Sequence, residues 1–185
     1  MNLVSKKGKG KSKKKEKKPG KQGKKSGKAQ KTSLEKVSTA FFIMPAEALL
    51  TLREELSPLA SELAIRAILF RYGFRSGEAC MQRIGINVKE GKLLEILPDL
   101  WDEIGLGRLS LTKSNKKGFA LHLNESIEAN AIGEVGQASC DFTRGYLAGI
   151  VSSLSGKRYH CKEEKCISRG DTHCSFHLSI RVERV

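Results

Sequence analysis

The last quarter of the chain holds four residues whose types and spacing fit metal binding. Cys140, Glu163, Cys166 and Cys174 follow the pattern C-x22-E-x2-C-x7-C. Three thiols and a carboxylate can supply the four ligands of a tetrahedral zinc ion, and thiolate donors select zinc over magnesium or calcium. Four protein ligands would make the site structural, because catalytic zinc keeps one position open for water or substrate. The alternative is that these cysteines are small buried hydrophobes, since x2 followed by x7 is not a standard zinc-finger spacing. Cys161 stands two residues before Glu163. It can replace that carboxylate or sit idle on the other face of the strand, and alternation favours the idle reading.

Other reactive types carry weaker patterns. Gly170 and Asp171 read as a turn, with Gly allowing positive φ and Asp bonding nearby backbone. His122, His160, His173 and His177 have no metal-ligand spacing with one another, although His173 adjoins Cys174. Neither a dinucleotide fingerprint nor a phosphate-binding loop in its strand–helix setting is present. No Ser-His-Asp order is recognisable, and Glu54 with Glu55 reads as a solvated helix face.

The 185 residues suit one domain and a tail. Net charge is +14, from 34 basic and 20 acidic residues, and it is unevenly placed. Met1 to Lys31 holds 14 lysines and a single acid, Glu16, for +13; the remainder has 34 − 14 = 20 basic and 20 − 1 = 19 acidic residues, leaving +1. The high pI therefore describes the tail, and no basic face on the domain follows from it. Residues 1–31 are almost entirely Lys, Gly, Ser and Gln, with nothing to bury, and are expected to be disordered. Such a tail can clamp phosphates or merely solubilise, and weak, salt-sensitive contact with RNA or DNA is the expected reading; no arginine or aromatic interleaves its lysines, which argues against specific readout of nucleic acid. No run approaches the apolar length of a membrane span and no signal-peptide core is visible, so a cytoplasmic location and reduced cysteines are expected.

The elements that must position the four candidate ligands follow from periodicity. Ser38 to Met44 reads as an apolar lead-in, and Pro45 opens a short helix on Leu49, Leu50 and Leu56. Ser57 as N-cap and Pro58 at the first position start a long core helix on Leu59, Leu63, Ala67, Phe70 and Phe74. Gly73 and Gly77 then either admit a close helix neighbour or mark a break. Leu93 to Ile104 is a further helix, kinked or restarted at Pro98. Leu109 and Leu111, then Phe119, Leu121 and Leu123, predict a hairpin with Lys113 to Gly118 as its turn. Glu134 to Leu154 reads as helix, stopped by Gly156, and Arg158 to Glu163 with His173 to Val182 predicts a second hairpin.

The stretches RSGEA (75–79), LGRL (106–109), CDFTRGYLAGI (140–150) and the ending E-x2-C-x3-GD-x2-C-x-F resemble the 4-vinyl reductase domain family, over roughly residue 40 to the C-terminus. That resemblance implies an α+β fold, helices packed on an antiparallel sheet, spanning 38–185. It also implies a dimer, for which Gly73 and Gly77 could supply a helix contact, and kinship with phenol-sensing regulators and Golgi tethering subunits that hold an acyl chain. In the phenol sensors zinc is bound by three cysteines and a glutamate, which fall here on Cys140, Glu163, Cys166 and Cys174. Those sensors continue into an ATPase and a DNA-binding domain, neither of which this sequence contains.

Phe70, Phe74, Leu97, Trp101 and Phe119 are the candidate lining of an apolar pocket, or else ordinary core. The expected function is a non-enzymatic, zinc-stabilised domain that senses or carries a small hydrophobic molecule. The alternative is an enzyme or subunit in tetrapyrrole vinyl reduction, which would need a hydride source for which no nicotinamide or flavin motif is present.

Overall fold

The computed structural model describes residues 44–84, 92–115 and 118–181. The lysine tail, most of the apolar lead-in and the tip of the first hairpin lie outside the described residues. Five helices and four strands follow in the order α1 (Glu47–Leu56), α2 (Glu62–Ile84), α3 (Leu93–Ile104), β1 (Arg108–Asn115), β2 (Gly118–Asn124), α4 (Ile127–Ile132), α5 (Asp141–Ser155), β3 (Tyr159–Lys165) and β4 (Cys174–Ile180). A 3-10 turn at Ile167–Arg169 separates the last two strands. The expected α+β fold, with helices packed on an antiparallel sheet, is what forms.

Both predicted hairpins are present, and they join into one sheet of order β1-β2-β4-β3 through antiparallel pairing of β2 with β4. Leu109 faces Leu123 and Leu111 faces Leu121. The first hairpin is tighter than its turn-rich sequence suggests: Lys113, Ser114 and Asn115 pair with Ala120, Phe119 and Gly118, after a bulge beyond Leu111. Leu121, Leu123, Cys161, Phe176 and Leu178 are buried on the inner face. Against the sheet lie α3, over β1, and α5, over β3.

Helix α5 is apolar or small nearly all round, and eleven of its fifteen residues are buried. A helix of that composition must be covered on two sides. The sheet covers one and α2 the other. The α2–α5 crossing is built on glycine. A Cβ on Gly73 would lie 2.1 Å from the Phe142 carbonyl oxygen, and one on Gly77 2.5 Å from that of Tyr146. Reciprocally, Gly145 and Gly149 would meet the carbonyls of Phe70 and Phe74 at 2.0 and 2.2 Å. The pair G-x3-G on each helix thus brings backbone to backbone. Of the two readings of Gly73, close approach is the one realised, and α2 runs through it unbroken. Gly73 and Gly77 are consequently engaged within the chain, which removes the helix contact that was read as support for a dimer.

Four expectations are corrected. The second helix does not start at Ser57, whose N–H closes α1 on the Arg53 and Glu54 carbonyls; the chain turns first, and Ser61 Oγ accepts from Ala64 N at 3.4 Å. The stripe of Leu59, Leu63 and Ala67 therefore does not face the core: Leu59 and Leu63 are each 80% exposed, and the buried face is Ile65, Leu69, Gly73, Gly77, Cys80 and Met81. Pro98 neither ends nor restarts α3, since the helix continues to a left-handed Gly105 at φ 78°. Finally, the helix expected from Glu134 begins only at Asp141, and the short α4 ahead of it has no counterpart in the periodicity.

Replacing Gly145 with Ala is expected to lower stability by about 3 kcal/mol or more, because the opposing atom is a carbonyl that cannot rotate away. Thermal unfolding should shift down by roughly 6 to 12 °C. Leu63→Gln on the exposed stripe should change stability by less than about 0.5 kcal/mol. A large loss in Leu63→Gln with little in Gly145→Ala would reverse the assignment of the two faces.

Candidate metal centre

The N-terminus of α5, the end of β3 and the start of β4 bring Cys140, Glu163, Cys166 and Cys174 together. The ligating atoms of all four lie within 4.8 Å of one another, and this is the one such group of three or more among the described residues. Each residue is placed by backbone structure. Cys140 is the N-cap residue of α5, Glu163 precedes the bulge that ends β3, Cys166 follows in extended conformation, and Cys174 opens β4. The three cysteines are fully buried.

The distances fit a tetrahedral ion. Cys140 Sγ is 3.7 Å from Cys166 Sγ and 3.6 Å from Cys174 Sγ. With metal–sulfur bonds of about 2.3 Å, the edge of a zinc–thiolate tetrahedron is about 3.8 Å. A disulfide would need about 2.05 Å. Glu163 Oε2 accepts from the Cys140 N–H at 3.2 Å, while Oε1 is buried without a hydrogen-bond partner among the described residues. That orphaned oxygen is the one a metal would use. The sulfurs have further polar neighbours: the Ile167 N–H donates to Cys174 Sγ at 3.4 Å, and Ser126 Oγ shares a hydrogen bond with Cys140 Sγ at 3.5 Å. Such contacts orient ligands around a metal.

Without a cation the four acids are in conflict. Burial, reinforced by the adjoining Cys166, pushes Glu163 up to about 9. Hydrogen bonding between the thiols drives Cys140 up and Cys166 down. A divalent ion would relieve this frustration for every member.

Cys161 stays out of the group, as expected, but for a different reason. Residues two apart on a strand share a face, so Cys161 points to the same side as Glu163; it is one pleat further along, fully buried in the apolar core, where burial pushes its thiol well up. Asp171 makes the expected turn and more: its carboxylate accepts the Cys166 N–H at 2.9 Å and pairs with Arg169 at 2.7 Å. His173 stacks on His122, ring centroids 4.3 Å apart, and its Nδ1 lies 3.0 Å from Thr172 Oγ1.

Of the candidate pocket residues, Leu97, Trp101 and Phe119 lie inside the core, whereas Phe70 and Phe74 are half-buried and pack against its edge. Arg144 covers Phe70 at 5.0 Å and Arg158 covers Phe74 at 5.6 Å. Trp101 is fully buried and meets Tyr146 edge-on at 5.9 Å, and its indole Nε1 has no hydrogen-bond partner among the described residues. Tyr146 in turn neighbours the Cys80 thiol, which burial raises above its ordinary value. Sequence reasoning did not single out Tyr146, which reads as one more apolar position of α5 and lies in the core cluster.

It missed Glu128 as well. This buried carboxyl accepts the Phe142 and Thr143 N–H groups at 3.0 and 2.7 Å, capping α5 from a distance in sequence that no local motif reveals. Burial pushes it up to about 7 from an ordinary value of 4.5. A carboxyl raised on folding stabilises fully below its unfolded value, and that contribution is lost as pH rises through the folded one. The stability of Glu128→Gln relative to wild type should therefore increase by on the order of 3 kcal/mol from about pH 4.5 to above 7. Chemical denaturation of both proteins across that range checks it, and a constant difference would remove the assignment.

Residues 119–180 match the V4R domain. The fold is similar to the phenol-responsive sensory domain of the transcription activator PoxR with phenol, at 23% identity and TM-score 0.64 over 76% of each chain. It is also similar to a vinyl-4-reductase family protein of Methanocaldococcus jannaschii, at 16% identity and TM-score 0.54 over 80% of this chain and 92% of that one. A third likeness is to a trafficking protein particle complex subunit 3 of Naegleria fowleri covalently bound to palmitic acid, at 16% identity and TM-score 0.57 over 74% and 95%. The resemblance carried by the motifs after residue 119 is matched by the V4R domain model over residues 119–180, and the fold is similar to that of a vinyl-4-reductase family protein.

Proposed function

We propose that the domain binds a small hydrophobic molecule in its core, as a sensor or carrier rather than an enzyme, and that one zinc ion held by Cys140, Glu163, Cys166 and Cys174 staples the core together. The observation that carries the ligand reading is the buried Trp101 indole N–H with no acceptor among the described residues. A buried donor left unmade costs about 1 to 3 kcal/mol, and an otherwise apolar region with one placed donor is how small-molecule sites fix orientation. Trp101, Tyr146 and Cys80 provide three polar atoms from α3, α5 and α2, surrounded by Leu97 and the inner face of the sheet. A ligand with one acceptor and an apolar body suits this setting. The sensory domain of PoxR was solved with phenol and the trafficking protein particle complex subunit with palmitic acid, so the fold accommodates both shapes.

Trp101 is the chain's single tryptophan. Titration with phenol, and separately with palmitate, should shift its emission in a saturable way. In Trp101→Phe, binding followed by calorimetry should weaken about tenfold, the worth of one hydrogen bond. Saturable binding unaffected by that change would move the ligand elsewhere; no binding of either probe, together with NADPH oxidation by the purified protein, would replace the sensor reading with the reductase one.

Zinc would act as a structural ion, with Cys140, Glu163, Cys166 and Cys174 closing its coordination. Metal analysis should find one zinc per chain. Cys166→Ser should lose it and lower the melting temperature without unfolding the chain, because the core has support of its own. Cys161→Ser and Cys80→Ser should keep the metal. Wild type without zinc ends this part of the proposal.

A further inference from the structure

A second polar cluster surrounds Asp141, in the first turn of α5. Its carboxylate is fully buried and receives guanidinium groups from three helices. Arg53 Nη2 from α1 donates to Oδ2 at 3.0 Å, Arg66 Nε from α2 donates to Oδ2 at 3.2 Å, and Arg144 Nη2 from α5 donates to Oδ1 at 2.9 Å. Arg53 also pairs with Glu62 at 2.6 Å. The formal charges are +3 for the arginines and −2 for Asp141 and Glu62, so one positive charge is left over. Glu128, the next carboxyl, makes no ion pair with these arginines among the described residues. Its oxygens are taken by the Phe142 and Thr143 N–H groups.

Donors exceed acceptors in the same place. Arg53 Nε and Arg144 Nε are buried and have no hydrogen-bond partner among the described residues. Arg66 donates there only through Nε, which leaves its two terminal nitrogens. The three side chains are 14%, 31% and 23% exposed, open enough for a solute to reach and closed enough to limit screening. Buried donors and a buried surplus of charge both cost free energy unless an acceptor of opposite charge is supplied.

We propose that Arg53, Arg66 and Arg144 form a binding site for a small oxyanion, a carboxylate or a phosphate group. The guanidinium fork matches the geometry of both through parallel charge-assisted hydrogen bonds. Asp141 holds three mutually repelling cations in one place, and the Phe70 ring beneath Arg144 fixes that guanidinium plane. The helix N-terminus itself does not provide the donors, because Glu128 and Glu163 already occupy the N–H groups of Phe142, Thr143 and Cys140. The site shares no residue with the proposed metal centre or with the Trp101 pocket, so its fate in an experiment is separable from theirs.

The test uses the full chain. Residues 1–31 contain no arginine, so arginine Nε–H resonances in nitrogen-15 NMR report on the folded part even when the lysine tail attracts anions. Sodium acetate and inorganic phosphate are titrated at constant ionic strength against sodium chloride. The Arg53 and Arg144 Nε–H signals are expected to move downfield together and saturate with at least one oxyanion. Saturation with acetate alone identifies a carboxylate ligand, and saturation with phosphate a phosphate one. In Arg66→Gln half-saturation should require at least about tenfold more anion. Arg66→Lys, which keeps the charge and loses the fork, is the second variant should the first fail to fold, and it too should bind more weakly. Linear shifts equal to those in chloride, or wild-type affinity in a folded Arg66 variant, would overturn the proposal.

Discussion

Everything else in the molecule hangs on the contact between α2 and α5. Two helices normally stand 8 to 10 Å apart because side chains fill the space between them. Here Gly73 and Gly77 on one helix, and Gly145 and Gly149 on the other, leave only backbone at the crossing, with each missing Cβ replaced by a carbonyl of the partner helix. Glycine in a helix interior costs about 1 kcal/mol each in propensity, so four of them are tolerated only where the approach they permit is worth more. The gain is that α5 can be covered on both sides within a thin layer, with the sheet on one face and α2 on the other. Once α5 is fixed, its N-terminus fixes Cys140 and Asp141, and its middle fixes Tyr146 against Trp101.

The N-terminal turn of α5 then has to accommodate several buried carboxyls. Glu128 caps it, Glu163 accepts the Cys140 N–H, and Asp141 is held by three arginines. The positive end of a helix favours such company. Its N–H groups are few, however, and they are divided among Glu128 and Glu163. Asp141 is left to the guanidiniums, and the thiols of Cys140, Cys166 and Cys174 are left to one another. Proximity of these demands explains why burial and mutual repulsion raise Glu128 and Glu163 far above ordinary carboxyls. A metal ion on one side and an oxyanion on the other would each complete a set of donors or acceptors that the chain assembles only in part.

The sequence was most legible where spacing alone dictates geometry. Glu163, Cys166 and Cys174 could be placed around a hairpin turn because a strand–turn–strand leaves little choice about where such residues meet, whereas the start of α5 right after Cys140 was hidden in a helix read from Glu134. The two hairpins and the end of α5 at Gly156 were equally plain. Legibility failed where apolar residues do not face the core. Leu59, Leu63 and Ala67 repeat at helical spacing, yet Leu59 lies in the turn before α2 and Leu63 and Ala67 on its outer side, because its buried face is set by Gly73 and Gly77, residues that register as gaps in any hydrophobic pattern. Pro98 allows a kink or a restart, and the restart is not what forms: α3 runs through it with Leu93, Leu97, Leu100 and Trp101 all buried, so packing outweighs the lost hydrogen bond. Glu128 was invisible because α4 is six residues long and its role depends on a helix that starts thirteen residues later.

The side on which Cys161 falls shows how far pattern can go before packing is needed. Alternation distinguishes neighbours on a strand, not residues two apart, so it could never have separated Cys161 from Glu163. What separates them is distance along β3. Cys161 is paired in register with Leu178, deep in the core, while Glu163 faces Phe176 just before the bulge at Lys165. The bulge ends the regular pleat and turns the chain toward Cys166, so the carboxylate lies at the rim where a helix terminus arrives and the thiol does not. The chemistry of this centre thus depends on a backbone irregularity as much as on residue type. A β3 that ran on without the bulge would carry Glu163 and Cys166 away from Cys140 and Cys174, and the four candidate ligands would not reach one point.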